Sequence, residues 1–381
     1  MKIQISLIGT LPPVTGVSDY CIQQTKVLSE KMPIEFFNFK AIYPKLFYKG
    51  KMTETDPTFQ IPKNKNLTIH TPLTWYNPLS WIYTGLTAKG KIVHFHWWTW
   101  YLFPIFFTST VIARLKGKKI VCTVHNILGH ESNFFDKLFS AILFKVPHKF
   151  IVHTEQNKQQ LQKIFKINTE KIEIIPHGIY DFYNDQPTTN EMARTKLNIS
   201  KTAKTVLFFG YIRKYKGIFD LIDAFKIAQQ TIPDLFLIIA GKPWNEEFKK
   251  EIEERAKKEK NIKLSLDYTP SSEIKYYFAA ADLVVLPYLE FSAQSGPGNI
   301  ALAFEKPLIV TNTGGLPELV LNKSQVVEPG NVNQLAEKIV DTFTEPNFLE
   351  KLENDSKILK KKFSWENNVE QTLKIYNQLL K

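Results

Sequence analysis

The feature that most constrains this chain is an alternation that runs, stops and starts again. Short apolar runs of strand length lie at Ile3–Gly9, Leu67–Thr71, Ile92–His96, Ile120–Val124, Phe150–His153 and Ile172–Ile175. Longer stretches with helical spacing separate them, among them Val17–Lys31 and Glu155–Phe165. The polar segment Tyr180–Ser200 carries Pro187 and no β run, and reads as a linker. Strands are then expected at Thr205–Phe209, Leu235–Ala240, Ile262–Leu266, Leu283–Leu286, Leu308–Val310 and Gln325–Val327. Helices fit Ile218–Gln230, Glu246–Lys260 and Asn299–Phe304, and the tail from Asn331 is helical with breaks near Pro346 and Phe363–Ser364. Such alternation calls for parallel strands covered by helices on both faces. Two rounds of it in 381 residues exceed what one core supports. The expected fold is α/β, with two doubly wound, Rossmann-like parallel-sheet domains facing a cleft. Their expected spans are 1–185 and 190–364, with a terminal helix over 365–381. Ligands in such sheets sit at the carboxyl ends of the strands.

Charge is unevenly divided. The chain has 49 Lys+Arg and 37 Asp+Glu, a net of +12. Residues 1–185 hold 22 and 12 of these, a net of +10, which leaves 27 and 25 for the remainder, a net of +2. A basic front half suits an anionic partner: a phosphorylated small molecule, an acidic lipid headgroup or nucleic acid. An ordinary solvated basic surface gives the same count. No RNA-binding aromatic motif or basic recognition helix is evident, so nucleic acid is not expected. Cys21 and Cys122 are too few for a disulfide framework or a cysteine-built zinc site, and they fit a reducing, cytoplasmic compartment.

The first residues lack the long apolar region and cleavage site of a signal peptide. Ile92–Ala113 is 22 residues without Asp, Glu, Lys or Arg, long enough to span a bilayer. His94, His96, Pro104 and several hydroxyl residues favour a strand, a loop and an amphipathic helix instead. The Trp97-Trp98, Trp100, Phe103, Phe106 and Phe107 tract, beside Lys116, Lys118 and Lys119, is a candidate for shallow docking on an anionic membrane. Plain core packing is the alternative.

Four βα turns have the chemistry to hold phosphate. Gly16, in Thr10–Ser18, stands just before a helix, where backbone amides can approach an anion. Gly210–Gly217 places Arg213, Lys214 and Lys216 in one loop, where Arg binds bidentately and Lys as a point charge. Pro287–Asn299 is a Ser/Gly-rich connection into a helix, with Glu290, Gln294, Ser295, Gly296 and Asn299 as candidate ligands. Gly314-Gly315 follows the strand LIVT. No GxxxxGK[ST] occurs, no GxGxxG follows the first strand, and no Asp-x-Asp or metal-spaced cluster is present. A diphosphate would therefore be neutralised by Arg, Lys and amides, and no metal cofactor is expected. Among the histidines at strand ends, His94, His96, His125 and His177, the one beside Asn126 is best placed to bond a sugar hydroxyl or phosphate.

Together these blocks resemble the retaining glycosyltransferases of family 4, of GT-B fold, over essentially the whole chain. PPVTGVSDY resembles the family's glycine turn, which puts Gly16 beside the donor phosphates and the acceptor. TVHN resembles its strand-end histidine, which puts His125 near the transferred sugar. FFGYIRKYKGIFDLIDAF resembles its diphosphate loop and implicates Arg213 and Lys216. IIPHGI, KPLIVTNTGGLPELV and FSWENNVEQTLKIY resemble the inter-domain segment, the block at the end of the donor domain and the last helix that crosses back to the first domain. The chain looks like a variant branch, because the family's pair of Glu falls here on Ser292 and Ile300. In the family the first touches the donor sugar and the second the ribose. Gln294 or Glu290 is the substitute for the sugar contact. The family's Arg after the first loop glycine is Tyr211, so Arg213 takes that role.

The resemblance implies transfer of a hexose from a nucleoside-diphosphate sugar, bound by the second domain, to an acceptor bound by the first. It implies retention of configuration without a metal. The expected partners are the nucleotide-sugar donor and a glycan or lipid-linked acceptor, with an anionic membrane surface on the inner face that carries it. A nucleotide-sugar epimerase of the same fold and a non-catalytic anionic-glycan binding module stand as alternatives.

Overall fold

A computed structural model of the chain describes residues 4–14, 17–42, 61–127, 134–184, 188–291 and 295–381. The chain forms two compact units. Unit 1 comprises Met1–Gly178 and Trp365–Lys381, and unit 2 comprises Ile179–Ser364.

Unit 1 carries strands β1 (Ile5–Ile8), β2 (Ile34–Ala41), β3 (Leu67–Thr74), β4 (Ile92–Trp97), β5 (Lys119–Val124), β6 (Lys149–Val152) and β7 (Ile172–Ile174). They form one parallel sheet in the order β3-β2-β1-β4-β5-β6-β7. Helices α1 (Ser18–Lys31), α2 (Pro78–Thr87), α3 (Phe103–Leu115), α4 (Phe134–Leu143) and α5 (Glu155–Phe165) connect them. The central strands are continuous apolar runs because both faces are covered, as in β4 and β5, whose side chains are almost all buried. β1 pairs with both β2 and β4, so the winding reverses between β1 and β4.

Unit 2 repeats the plan. Its strands are β8 (Lys204–Phe209), β9 (Leu235–Ala240), β10 (Ile262–Ser265), β11 (Leu283–Leu286), β12 (Leu308–Thr311) and β13 (Val326–Val327), in the order β10-β9-β8-β11-β12-β13. All pairs are parallel, and the winding reverses between β8 and β11. Its helices are α6 (Asn190–Lys196), α7 (Ile218–Gln229), α8 (Glu246–Ala256), α9 (Ser271–Ala280), α10 (Gly296–Ala303), α11 (Val332–Thr344) and α12 (Phe348–Lys362). The last helix, α13 (Trp365–Leu380), belongs to unit 1, where Asn368 Nδ2 donates to the Pro176 carbonyl at 2.8 Å and to Tyr20 Oη at 3.3 Å.

β2, α2, α4, α6 and α9 were not named in the sequence reading. β2 was not expected, because Glu35 and Asn38 interrupt its apolar run. Both are buried and bonded: Glu35 Oε1 accepts from Ser6 Oγ and the Lys89 amide, each at 2.5 Å, and Asn38 Oδ1 accepts from the Leu11 and Phe39 amides at 2.8 and 2.9 Å. α6 lies inside the segment read as linker. Its Thr189 cap accepts the Met192 amide at 3.2 Å, and its buried Arg194 pairs with Asp282 at 2.6 Å and donates to the Lys201 carbonyl. α2 also went unread, for a reason taken up below.

The uncharged stretch resolves into β4, a short 3₁₀ turn and α3. Among the described residues, no helix is long and apolar enough to cross a membrane. Trp97 and Phe106, two of the rings assigned to a docking tract, are wholly buried in the core of unit 1, so they have no surface to offer a bilayer. Trp98, Trp100, Phe103 and Phe107 pack against that same core.

Candidate active site

In unit 2 the expected phosphate loops meet at the carboxyl ends of the strands. β8 runs into Gly210, whose φ of +108° an L side chain rarely adopts. Ile212 then anchors the loop, its amide donating to the Lys242 carbonyl at 2.9 Å. The loop closes at Gly217, with φ +66°, where a Cβ would stand 1.9 Å from the Pro287 carbonyl oxygen. Only glycine meets both demands there. The loop is thereby pressed against the chain leaving β11, a contact sealed by the Leu289 amide donating to the Tyr215 carbonyl at 2.7 Å.

This folding carries Lys216 inward. It is 7% exposed, and its ammonium lies 5.1 Å from the Tyr288 ring centroid. Burial, and then the nearby Arg213 guanidinium, push its pKa down to about 8. A cavity of about 340 Å³ opens beside it. Gly210, Tyr211, Gly241, Lys242 and Tyr268 line it from the loops after β8, β9 and β10, and Gly296, Pro297 and Ile300 line it from α10, with Tyr183 at another wall. α10 begins on Ser295, whose Oγ accepts the Gly298 amide at 3.2 Å and lies 3.5 Å from Tyr288 Oη. Asn299 is buried, and among the described residues its Oδ1 has no hydrogen-bond partner.

The structure thus brings Lys216 and Gly296 to one cavity and places Ser295 and Asn299 at the adjoining helix start. Arg213 does not line it: its guanidinium stacks on Trp244 at 4.1 Å from the ring centroid. Glu290 is exposed and outside the lining. Tyr211, in the position of the family arginine, and Ile300, in that of the second glutamate, do line it. Gly16, Ser292 and Gln294 lie outside the described residues. Lys242, Tyr268 and Tyr183 were not singled out in the sequence. Lys242 and Tyr268 fall just past the ends of β9 and β10, which is the signal that marks them.

In unit 1 the strand-end histidines form one cluster, with His94, His96 and His153 buried and His125 and His177 half-buried. His153 was not among those singled out, yet it orders the rest. Its Nδ1 lies 2.9 Å from the Ile175 carbonyl oxygen, which can only accept, so the proton sits on Nδ1 and Nε2 accepts. His125 must then donate from Nδ1 to His153 Nε2 at 3.3 Å and accept at its own Nε2 from His96 Nδ1 at 3.1 Å. His96 Nε2 is left bare, without a partner among the described residues. Tyr20 packs its ring against His96, His125, His153 and His177, all within 5.5 Å of its centroid. Burial drives the imidazoles toward neutrality, to about 3 for His96 and His153 and about 4 for His177, and well below the ordinary range for His94 and His125. Both ring nitrogens of His125 are therefore engaged by other histidines.

Two glycosyltransferase families match this chain: Glycosyl transferases group 1 over residues 189–358, and Glycosyltransferase Family 4 over residues 57–181. The chain is a family-4-like glycosyltransferase. Among relatives of this glycosyltransferase is the lipopolysaccharide 1,2-N-acetylglucosaminetransferase of Salmonella typhimurium, 25% identical over 351 residues, covering 89% of this chain and 82% of the relative. Another is the GDP-mannose:glycolipid 4-beta-D-mannosyltransferase of Xanthomonas campestris, 25% identical, covering 59% of this chain and 62% of the relative. The fold matches a glycosyltransferase of Rickettsia africae (TM-score 0.73, 19% identity, 100% of this chain and 99% of the other). It also matches Anabaena HepE in complex with UDP (TM-score 0.74, 16% identity, 99% and 100%). The architecture is GT-B.

Proposed function

We propose that this glycosyltransferase transfers a hexose from a nucleoside-diphosphate sugar to a lipid-linked or glycan acceptor, with retention of configuration and without a metal ion. The observation that carries the reading is the buried, unusually acidic Lys216 at the wall of the unit 2 cavity. An ammonium held out of water is costly unless an anion arrives, and a diphosphate is such an anion. The amides opening α10 would share its charge, and Arg213 could join them only by leaving the Trp244 ring. On the resemblance, unit 2 would hold the donor and unit 1 the acceptor; of the residues it implicates, Gly16 and His125 belong to unit 1 and Glu290 and Gln294 to unit 2. To bond a sugar, His125 would have to trade one of its two imidazole bonds, and the longer, to His153, is the cheaper.

In the step itself the acceptor oxygen attacks the sugar C1 from the face the diphosphate leaves. The C1–O bond to phosphate breaks as the new bond forms, and the acceptor proton passes to the leaving phosphate oxygen. Lys216 and the amides would stabilise charge where it develops, on the diphosphate. One relative's name specifies a glycolipid and another a lipopolysaccharide, which supports a lipid-linked acceptor.

A thermal-shift panel of UDP-, GDP- and ADP-sugars tests donor class. One base should raise the melting temperature, since a ligand at 100 times its Kd adds about 2.7 kcal/mol. Release of the nucleoside diphosphate from that donor should persist in excess EDTA. No stabilisation by any of them, or activity abolished by EDTA and restored by Mg²⁺, overturns the corresponding part of the proposal.

A further inference from the structure

We infer that unit 1 docks on an anionic bilayer through the outward face of α2 and the lysines gathered at that helix's C-terminal end. The reading deepens the lipid-linked acceptor proposed above, but it stands on different residues.

α2 is built inside out. A helix on a protein surface normally turns its apolar stripe to the core and its polar residues to water. Here Ser80, Thr84 and Gly85 face inward, and Leu79, Ile82, Tyr83 and Leu86 face out, at 72, 37, 49 and 49% exposure. Those four positions follow the i, i+3, i+4, i+7 spacing of one continuous stripe. The inward hydroxyls are satisfied within the helix, Ser80 Oγ donating to the Asn77 carbonyl at 2.6 Å and Thr84 Oγ1 to the Ser80 carbonyl at 2.9 Å. Gly85 lets α2 lie close on α3, since a Cβ there would stand 2.6 Å from the Ser109 carbonyl oxygen. Small residues and Trp81, which packs against the core, seal the inner side, which leaves Leu79, Ile82, Tyr83 and Leu86 on the outside. Trp75 and Tyr76 extend the stripe ahead of the helix, at 39 and 60% exposure with ring centroids 5.4 Å apart. Trp and Tyr suit the boundary between headgroup and acyl chain.

Charge identifies the occupant. Residues 57–130, which include β3, α2, β4, α3 and β5, contain eight Lys and Arg and no Asp or Glu. Four of the eight collect at one end of the stripe. Lys116 Nζ donates to the Leu86 carbonyl and Lys118 Nζ to the Lys89 carbonyl, which fixes both beside the end of α2. Lys91, Lys116, Lys118 and Lys119 line a cavity of about 310 Å³, closed by Leu379 and Leu380 of α13. An apolar stripe ending in a basic cavity offers acyl chains one surface and phosphate headgroups the other. A second copy of the chain would bring the same cations face to face, so self-association is disfavoured.

Flotation of the full chain with phosphatidylglycerol/phosphatidylcholine vesicles, and with phosphatidylcholine alone, tests the inference. The protein should float with the anionic vesicles and release as salt rises. Leu79→Ser/Leu86→Ser should weaken binding by at least about tenfold, each exposed leucine contributing a part of its burial energy. Lys116→Gln and Lys118→Gln should each weaken it about fivefold, from about 1 kcal/mol per basic residue at the surface. Nucleotide-sugar-induced stabilisation should be unchanged in all of these variants, because none touches unit 2. Flotation indifferent to lipid charge or to the leucine substitutions overturns the surface. So does a dimer in sedimentation that the leucine variant dissociates. Vesicle binding without any response to nucleotide sugars would leave this surface standing and sink the transferase chemistry, whereas transfer to a soluble acceptor without flotation would do the reverse.

Discussion

Replacing Lys216 by Met lowers the rate of sugar transfer by about 10²–10³, the usual effect of deleting one preorganised donor to a developing oxyanion. The substitution is nearly isosteric and removes a buried cation, so stability should hold or rise, and the loss cannot be put down to unfolding. A pH signature separates this role from a packing role. Burial and Arg213 hold the ammonium at about pH 8 in the free protein. A bound diphosphate favours the charged form, so affinity is full below about 8 and falls as pH rises past it. The limit is about tenfold per pH unit, until the bound-state pKa is reached. The Met variant should show a flat profile in that range. Full transfer activity in the variant, or an unchanged alkaline fall, removes Lys216 from the diphosphate site.

The second large effect is acid unfolding of unit 1. Above pH 6.5 the clustered imidazoles are neutral whether the chain is folded or not, and they cost nothing. Below 6.5 the unfolded chain takes up protons that the folded cluster refuses until about pH 3–4. Stability is therefore present above the unfolded pKa and lost as pH falls from 6.5 toward 4. Each histidine contributes a slope of about 1.4 kcal/mol per pH unit. His96 and His153, both fully buried, together give about 3 kcal/mol per unit at the limit, enough to cancel an ordinary folding stability within about three units. Urea midpoints measured between pH 7.5 and 4.5, with proton uptake on unfolding followed at pH 5, check this. Uptake near zero, or a midpoint insensitive to pH, means the imidazoles are charged in the fold or open to water. Replacing His153 by Gln should flatten the slope, because it removes one imidazole that takes up a proton only on unfolding.

Elements whose local pattern agrees with their burial were legible in the sequence. The uncharged stretch divided at the right place into β4 and α3, because histidine, proline and threonine spacing contradicts a membrane span and fits a strand and a helix. The glycines framing Lys216 announced the loop. What stayed hidden were elements stabilised by tertiary partners. Glu35 and Asn38 disguise β2 until Ser6 and Leu11 are seen to satisfy them. The buried Arg194–Asp282 pair supports α6 within a polar segment. α2 went unread and reverses the usual rule, with its small residues buried and its large apolar ones exposed. At the site, single residues past strand ends, Lys242 and Tyr268, carry no local motif, and only the sheet order assembles them into a wall. His153 hid in the same way, as one more polar residue closing an apolar strand.

The most direct measurement is a calorimetric titration of the full chain with UDP, GDP and ADP at pH 7. It should be repeated on Ser271→Trp, because Ser271 is one of the residues that line the unit 2 cavity and an indole there would occupy it. The cavity reading predicts one saturable site per chain for at least one of the three nucleotides, with affinity reduced tenfold or more by the tryptophan. Binding of none of them, or equal affinity in the filled variant, contradicts it.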